Sequence, residues 1–338
     1  MVRVGIIGLG GMGNMHFGCY ASVPGAEVVA IADIQEEKLR PGKSSLKINV
    51  GEGGATIDAA KHRLYTRADD LIADRDVDMI DICLPTFLHA EYSKKGLEAG
   101  KHVLCEKPMA LTYQDCLDVL GVAKKARGRL MIAQCVRFFP EYEYLNETVE
   151  SKRLGRLLQL SLWRGGAPPL WSWDNWLLDH TRSGGFIMDL HVHDADFVHY
   201  LLGRPQAVCA TAAKGPSGGY DAVDAQYIYD GQAAVRAGAD MALPKAFGFE
   251  AHFMAAFEKG CLRYSTADPH GLAEITDQGT HRPALPKKNG YREEIAYFVR
   301  CIEHGEVSAV VTPDSSAFSI KLVEAERESA RTGKLVQL

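Results

Sequence analysis

The sequence lacks most of the features that would place it outside the ordinary globular proteins. It has no C-x-x-C pair; its eight cysteines (19, 83, 105, 116, 135, 209, 261 and 301) are scattered along the chain. Several sit inside strand-like runs, such as Cys83 in "MIDICLP" and Cys135 in "LMIAQCV". These read as buried free thiols in a reducing compartment, not as a disulfide framework. There is no basic excess either: a net charge of −5 offers no field for nucleic acid or an anionic membrane. No apolar run approaches the roughly 18 residues of a membrane helix. No block of like charge reads as a disordered tail, and repeats and low-complexity segments are absent. The opening "MVRVGIIGLGG" is a poor signal peptide, since Arg3 is its single basic residue and the apolar run breaks after Ile7 into glycines. A cytoplasmic protein is expected, with neither nucleic acid nor membrane as partner.

What is present is ordinary in amount and informative in order. With 338 residues the chain is long enough for two domains. Apolar residues at 46% and charged residues at 24% suit a soluble globular protein. In the first part, near-continuous apolar runs ("VRVGIIG", "AEVVAIAD", "DMIDICLP", "KHVLCEKP", "RLMIAQCV") alternate with helical patterns ("MGNMHFGCYAS", "HAEYSKKGLEAG", "YQDCLDVLGVAKKARG"). Buried strands alternating with helices predict a doubly wound parallel sheet covered on both faces. After a helical stretch near 140–153 the pattern changes. "GRLLQLSLWRG" reads as a strand, 185–202 as a helix, and 207–266 as successive strands joined by tight glycine turns, which favours antiparallel pairing. "PDSSAFSIKLVEAERESARTG" then carries helix punctuation in Pro313, Asp314 and Gly333. The expected fold is therefore an α/β domain over 1–136 followed by an α+β domain over 137–338. One stretch, "LRPGKSSLKINVGEGGA" (39–55), lies where a helix should follow the second strand, and its Pro and glycines predict an irregular excursion.

Gly8, Gly10 and Gly13 form G-x-G-x-x-G between the first strand and the first helix, with Gly11 and Met12 between them. Alone that pattern is weak. In this position Gly8 permits the tight turn, Gly10 lets backbone approach a pyrophosphate, and Gly13 lets helix pack on strand. The phosphates would meet unpaired N–H groups at the helix start. Asp33 ends the second strand about 20 residues beyond the last glycine, where a carboxylate accepts the adenosine ribose hydroxyls. It would repel a 2′-phosphate, and no arginine follows within six residues, so NAD is expected over NADP.

The stretch "GGFIMDLHVHDADF" (184–197) packs two histidines and three aspartates close together. It suits a metal site, a proton relay, or a decorated helix. The flanking glycines and the spacing of Ile187, Leu190, Phe197 and Leu201 predict a helix. On a helix Asp189 and His193 share a face, while His191 points elsewhere. A metal would want His191 and His193 together, which needs a strand. No metal is expected.

With the glycine loop, "CEKP" (105–108) and "GGFIMDLHVHD" in view, the chain resembles the Gfo/Idh/MocA oxidoreductases. "LPTFLH" (84–89) is similar to that family's T-P-N-x-x-H loop, with Leu84 and Thr86 departing from it and Pro85 and His89 kept. "ESKRLGRL" and the C-terminal "YREEIAYFVRCIEHGE" also resemble family segments. The resemblance implies a Rossmann domain, a second domain with an open, largely antiparallel sheet, and a nicotinamide held between them. It implies Lys107, Asp189 and His193 as the catalytic group, with Leu84, Pro85, Thr86, His89, Glu106 and Lys107 beside the cofactor. The substrate would be a polyol, inositol, sugar or glycoside, and the assembly a homodimer or homotetramer.

The chemistry fits those residues. Oxidising an alcohol sends a hydride to nicotinamide and a proton to a base, a role for His193 with its ordinary pKa near ~6.5. Lys107 would stabilise the developing alkoxide. Asp189 would accept a substrate hydroxyl or hold His193. Trp171, Trp173 and Trp176 precede this segment. Trp173 and Trp176 fit a flat wall for sugar C–H faces and fit a satellite core equally well. Arg137 and Arg164 suit substrate contact or pairing with carboxylates. Redox-neutral glycoside cleavage or transfer through a transient keto-sugar would use the same motifs, whereas a non-catalytic regulator that senses nicotinamide would be expected to lose the catalytic trio, which is intact here.

Overall fold

The computed structural model describes residues 1–48, 51–231 and 233–338, with backbone alone over 43–48 and 51–55. The chain forms two compact units. The first comprises residues 1–135, 171–174 and 289–317, and the second comprises 136–170, 175–288 and 318–338.

In the first unit, β1 (Val2–Ile7) leads into α1 (Gly11–Tyr20) and β2 (Ala26–Ala32). A hairpin of β3 (Gly42–Ile48) and β4 (Gly51–Ile57) follows, then β5 (Arg63–Tyr65), α2 (Ala68–Ala73), β6 (Met79–Ile82), α3 (His89–Glu98), β7 (His102–Glu106), α4 (Tyr113–Ala123) and β8 (Leu130–Ala133). The main sheet has six strands in the order β5-β2-β1-β6-β7-β8, every pair parallel. That is the doubly wound arrangement, with its reversal of order between β1 and β6, where such sheets open a crevice at the carboxyl ends of the strands. β6 and β8 are buried at every residue, the mark of strands covered on both faces. One of those buried residues is Asp81, with no exposure at all.

The excursion at 39–55 is regular where the sequence predicts irregularity. A short 3₁₀ turn at Glu36–Leu39 leads into β3 and β4, which pair antiparallel from Gly42–Ile57 to Ile48–Gly51. Cross-strand pairing satisfies the backbone and overrides the poor local propensity of the glycines. Positions 49 and 50 lie outside the described residues.

The second unit begins with α5 (Pro140–Ser151) and β9 (Leu157–Gly166). It continues through α6 (His180–Ser183), a π-helical turn at Ile187–His191, and α7 (Val192–Leu202). β10 (Ala207–Lys214), β11 (Tyr220–Ile228), β12 (Ala234–Asp240), β13 (Phe249–Phe257), β14 (Gly260–Ser265), β15 (Ala273–Thr276) and β16 (Gly279–His281) follow. Its nine-stranded sheet runs β16-β15-β14-β13-β9-β12-β11-β10-β17, closed at one edge by β17 (Val336–Gln337). Among these pairs β12–β9 is parallel and the rest are antiparallel. β9, β12 and β13 alternate inward and outward residues over much of their length, as expected of a sheet with one covered face.

The last helices are α8 (Gly290–His304) and α9 (Pro313–Thr332). A single cut at 136/137 assigns both to the second domain. Instead Asn289–Ala317 belongs to the first unit, because the buried face of α8 (Ile295, Phe298 and Val299) packs beside α1, β1, β7 and β8.

Candidate active site

The cofactor motifs of the first unit gather at the carboxyl ends of its strands. Gly8 has φ of 95°, and a Cβ there would approach the Cys83 carbonyl oxygen to 2.7 Å. A Cβ on Gly13 would sit 1.8 Å from the Gly8 carbonyl oxygen, so helix and strand touch backbone to backbone at that point. Gly10 differs: a Cβ there would meet nothing within 4 Å. It leaves an open cradle at the start of α1, over which Gly10 is the N-cap residue and no acidic residue stands in the first turn. Asn14, wholly buried, donates to the Leu9 and Gly10 carbonyls at 2.9 and 3.0 Å and holds the loop from behind. An open glycine corner facing unpaired helix N–H groups fits a dinucleotide pyrophosphate.

Asp33 stands just past β2. Its Oδ2 accepts the Leu9 N–H at 2.7 Å and its Oδ1 accepts the Gln35 N–H at 2.9 Å, which ties the acidic residue to the glycine loop. A carboxylate has about four lone-pair sites, so ribose hydroxyls can still be accepted. Lys38 Nζ lies 3.6 Å from Asp33 Oδ2. Arginine spacing alone misses this cation, which the 3₁₀ turn folds back onto the strand end.

The other predicted cofactor residues come from the loops after β6 and β7. Leu84 and Pro85 are half-buried and Thr86 is buried. His89 is buried too, with its Nδ1 2.7 Å from the Pro108 carbonyl and its Nε2 2.7 Å from the Leu84 carbonyl. Burial lowers its pKa. The ring is a strut joining the loop after β6 to the loop after Lys107. Lys107 itself is half-buried, and its N–H donates to Glu106 Oε2 at 3.0 Å. Glu106 is buried; despite the cost of burial its carboxyl is held below the usual range by His16 and Lys107.

Nothing in the sequence marks His16, which shares a short, largely apolar helix with Asn14. It is fully buried, with Nδ1 2.9 Å from Asp81 Oδ2 and Nε2 3.0 Å from Glu106 Oε1. Tyr20 donates its hydroxyl to Asp81 at 2.9 Å. Glu294, on α8, brings a third buried carboxylate to the same place: atoms of His16, Glu106 and Glu294 lie within 4.8 Å of one another.

The second unit resolves the histidine and aspartate cluster. Gly184 and Gly185, both with positive φ, turn the chain into the π-helical segment. The expected helix over 185–202 is thus in two parts, and π turns inside helices recur at functional sites. Most of the cluster is structural. Asp194 binds the Arg164 guanidinium through two contacts of 2.8 and 2.6 Å, and Asp196 binds Arg137 likewise at 2.8 and 2.6 Å. Burial opposes ionisation of Asp196, but Arg137 and His199 hold its carboxyl well below the ordinary range. Ser319 on α9 donates to the same carboxylate at 2.7 Å. His191 lies 3.0 Å from Glu326, which also accepts the Tyr227 hydroxyl at 2.8 Å. Both arginines, candidates for substrate contact by sequence, are buried and matched by helix aspartates 30 or more residues away. Local spacing carries no signal of such pairs.

Two residues stand apart. From Ser183 to His199 every residue is buried except Asp189 and His193, which keep partial exposure. They are the pair that the four-residue spacing singled out. Lys107 belongs to the first unit and this pair to the second. Of the tryptophans, Trp171 and Trp173 are exposed and Trp176 is half-buried. Asp174 and Asn175 between them hold φ of 48°, a backbone region uncommon for residues other than glycine.

Residues 2–134 match the sequence profile described as "Oxidoreductase family, NAD-binding Rossmann fold", and residues 142–263 match the GFO/IDH/MocA C-terminal domain. The chain belongs to the Gfo/Idh/MocA oxidoreductase family. Within that family it is similar to an inositol 2-dehydrogenase of Rhizobium meliloti (strain 1021), 27% identical over 321 residues, 90% of this chain and 89% of that protein. It is 32% identical over 207 residues to the uncharacterized oxidoreductase YrbE of Bacillus subtilis (strain 168). That alignment covers 60% of this chain and about half (54%) of YrbE. The fold is shared with an aldose-aldose oxidoreductase from Caulobacter crescentus solved with glycerol, at a TM-score of 0.83 and 23% identity over 100% of this chain and 99% of that one. The resemblance read from motifs and the Rossmann and largely antiparallel architecture are thereby established. No helix among the described residues is long and apolar enough to cross a membrane.

Proposed function

We propose that this oxidoreductase is an NAD-dependent dehydrogenase that moves a hydride between nicotinamide and a secondary alcohol of an inositol, polyol, sugar or glycoside. The observation that carries the reading is the selective exposure of Asp189 and His193 in an otherwise buried segment. A full-length relative named for inositol oxidation supports the substrate class.

The open Gly10 corner would hold the pyrophosphate and Asp33 the adenosine ribose, with the loops at 84–89 and 106–107 beside the nicotinamide. When bound, the nicotinamide supplies the hydride acceptor. His193 takes the hydroxyl proton, and Lys107 places an ammonium where negative charge grows on oxygen. Asp189 accepts a neighbouring substrate hydroxyl or orients His193. NAD is favoured over NADP because Asp33 presents a carboxylate where a 2′-phosphate would sit, although Lys38 offsets part of that charge. Residues 1–136, with 289–317 packed into the same unit, are read as the nucleotide-binding portion, and the rest of 137–338 as the substrate-binding portion. The outward face of the second sheet carries Met254 and the stacked Trp163–His252 pair, apolar surface that suits a homodimer or homotetramer.

The test is NADH formation, read by absorbance, with a panel of inositols, aldoses and glycosides, using wild type and Lys107→Ala. Formation by wild type that the variant loses is the expected result. Consumption of glycosides with no net NADH would replace this reading by the redox-neutral one. No consumption of any panel member would remove the assignment of substrate class.

A further inference from the structure

Of the buried group around His16 only Glu106 has been placed beside the cofactor, and through it the group ends at Lys107. Both imidazole nitrogens face carboxylate oxygens, Nδ1 toward Asp81 at 2.9 Å and Nε2 toward Glu106 at 3.0 Å. A neutral ring would turn a lone pair toward one of those carboxylates. Only the imidazolium satisfies both, although the Nε2 contact is an ion pair by distance and not a well-directed hydrogen bond. The chain of contacts runs from the Tyr20 hydroxyl to Asp81, His16, Glu106 and the Lys107 amide.

We propose that His16 is a positioning residue for Lys107: held as an imidazolium between Asp81 and Glu106, it fixes the carboxylate that accepts the lysine amide and balances the charge that the lysine feels. This rests on the reading of Lys107 as the group that stabilises the alkoxide.

The neighbouring groups are compatible with that role. On α1, burial pushes the Cys19 thiol and the Tyr20 phenol up, so both stay neutral at neutral pH. Cys83, past the end of β6, is pushed up by burial and by Asp81. His89, at the start of α3, is pushed down by burial, and its two ring nitrogens are taken up by the Pro108 and Leu84 carbonyls. From α8, Glu294 has neither oxygen hydrogen-bonded, and burial beside Glu106 pushes its carboxyl well up. Arg292, nearer the start of the same helix, is bonded to the Ser22 carbonyl at 3.2 Å. The contacts that lead to Lys107 are thus those of Asp81, His16 and Glu106. Removing the cation and removing the anion nearest the lysine should then act in opposite directions.

The variants are His16→Gln and Glu106→Gln in the full chain; the amide of the second can still accept the Lys107 N–H. The first readout is the high-pH limb of kcat/KM on the best panel substrate. The second needs no turnover: the pH dependence of Lys107 acylation by an amine-reactive reagent, read by peptide mass spectrometry. His16→Gln is expected to move both curves upward by about one pH unit, and Glu106→Gln to move them downward by a similar amount. If His16→Gln does not fold, Asp81→Asn strips His16 of the anion that holds its second proton and should copy the upward shift. Shifts in the same direction, or a loss of kcat with unmoved curves, would overturn the proposal. So would a stoichiometric divalent metal in the purified protein, because a cation other than imidazolium would then balance the carboxylates. A protein inactive on the whole panel would defeat the functional reading, while the labelling curves would still decide this one.

Discussion

At the scale of residues, the account separates groups that hold the protein together from groups that act. Asp194, Asp196 and His191 look in sequence as reactive as Asp189 and His193. Their partners, Arg164, Arg137 and Glu326, are what remove them from the site. Those partners lie between 30 and 135 residues away, beyond any local pattern. What was legible was the four-residue spacing of Asp189 and His193 and the likeness of "CEKP" to a family motif. His16 and Glu294 escaped because nothing local separates His16 from its neighbour Asn14 on α1, or Glu294 from Arg292 and Glu293 on α8. Asp81 left the stronger trace, a carboxylate inside the apolar run "MIDICLP". The prediction at this scale concerns the base. His193→Gln should lower kcat by roughly 10²–10⁴-fold. Fluorescence titration of NAD should show affinity within a few-fold of wild type, since the residue lies outside the nucleotide-binding unit. Loss of NAD binding together with kcat would mean that the residue acts on the cofactor or on folding.

At the scale of elements, the strand–glycine–helix unit can be divided by substitution. A Cβ on Gly13 would lie 1.8 Å from a backbone oxygen, whereas one on Gly10 meets nothing within 4 Å. Gly13→Ala is therefore expected to destabilise the fold, by about 1–3 kcal/mol for an overpacked site. Gly10→Ala should melt within a degree or two of wild type yet bind NAD at least tenfold more weakly. Thermal melts and NAD titration of both variants check this; intact NAD binding in Gly10→Ala would remove the pyrophosphate from that corner. Element types were readable wherever periodicity was strong, as in β1, β6 and α9. The hairpin of β3 and β4 was not, because glycine-rich strands carry little propensity and gain regularity only by pairing. Nor was the π turn, whose i→i+5 bonding leaves no mark that distinguishes it from an α-helical pattern.

At the scale of the whole molecule, the two-part architecture was visible in the change from alternating strands and helices to successive strands. The return of Asn289–Ala317 to the first unit was not, since it depends on which surface the buried face of α8 finds. That return brings Glu294 into the core and gives stability a pH dependence. Its folded carboxyl is raised by burial, so above the unfolded value the native state keeps a proton that the unfolded state releases. Stability from this group falls as pH climbs above the unfolded value of ~4.3 toward the folded one. Glu294→Gln keeps the shape and removes the titration. Its Tm should exceed that of wild type by a margin that grows from pH 5 to pH 8, measured by calorimetry. A margin that shrinks with rising pH would mean that Glu294 is ionised in the fold.

The central claim is that a hydride passes between a substrate carbon and nicotinamide. The most direct measurement uses NAD and the panel substrate that turns over, carrying deuterium on the carbon that bears the oxidised hydroxyl. The reduced cofactor is recovered and its nicotinamide ring is examined by mass spectrometry. The account predicts one deuterium per nicotinamide ring for wild type and none above background for Lys107→Ala. Substrate turnover with an unlabelled ring would contradict it.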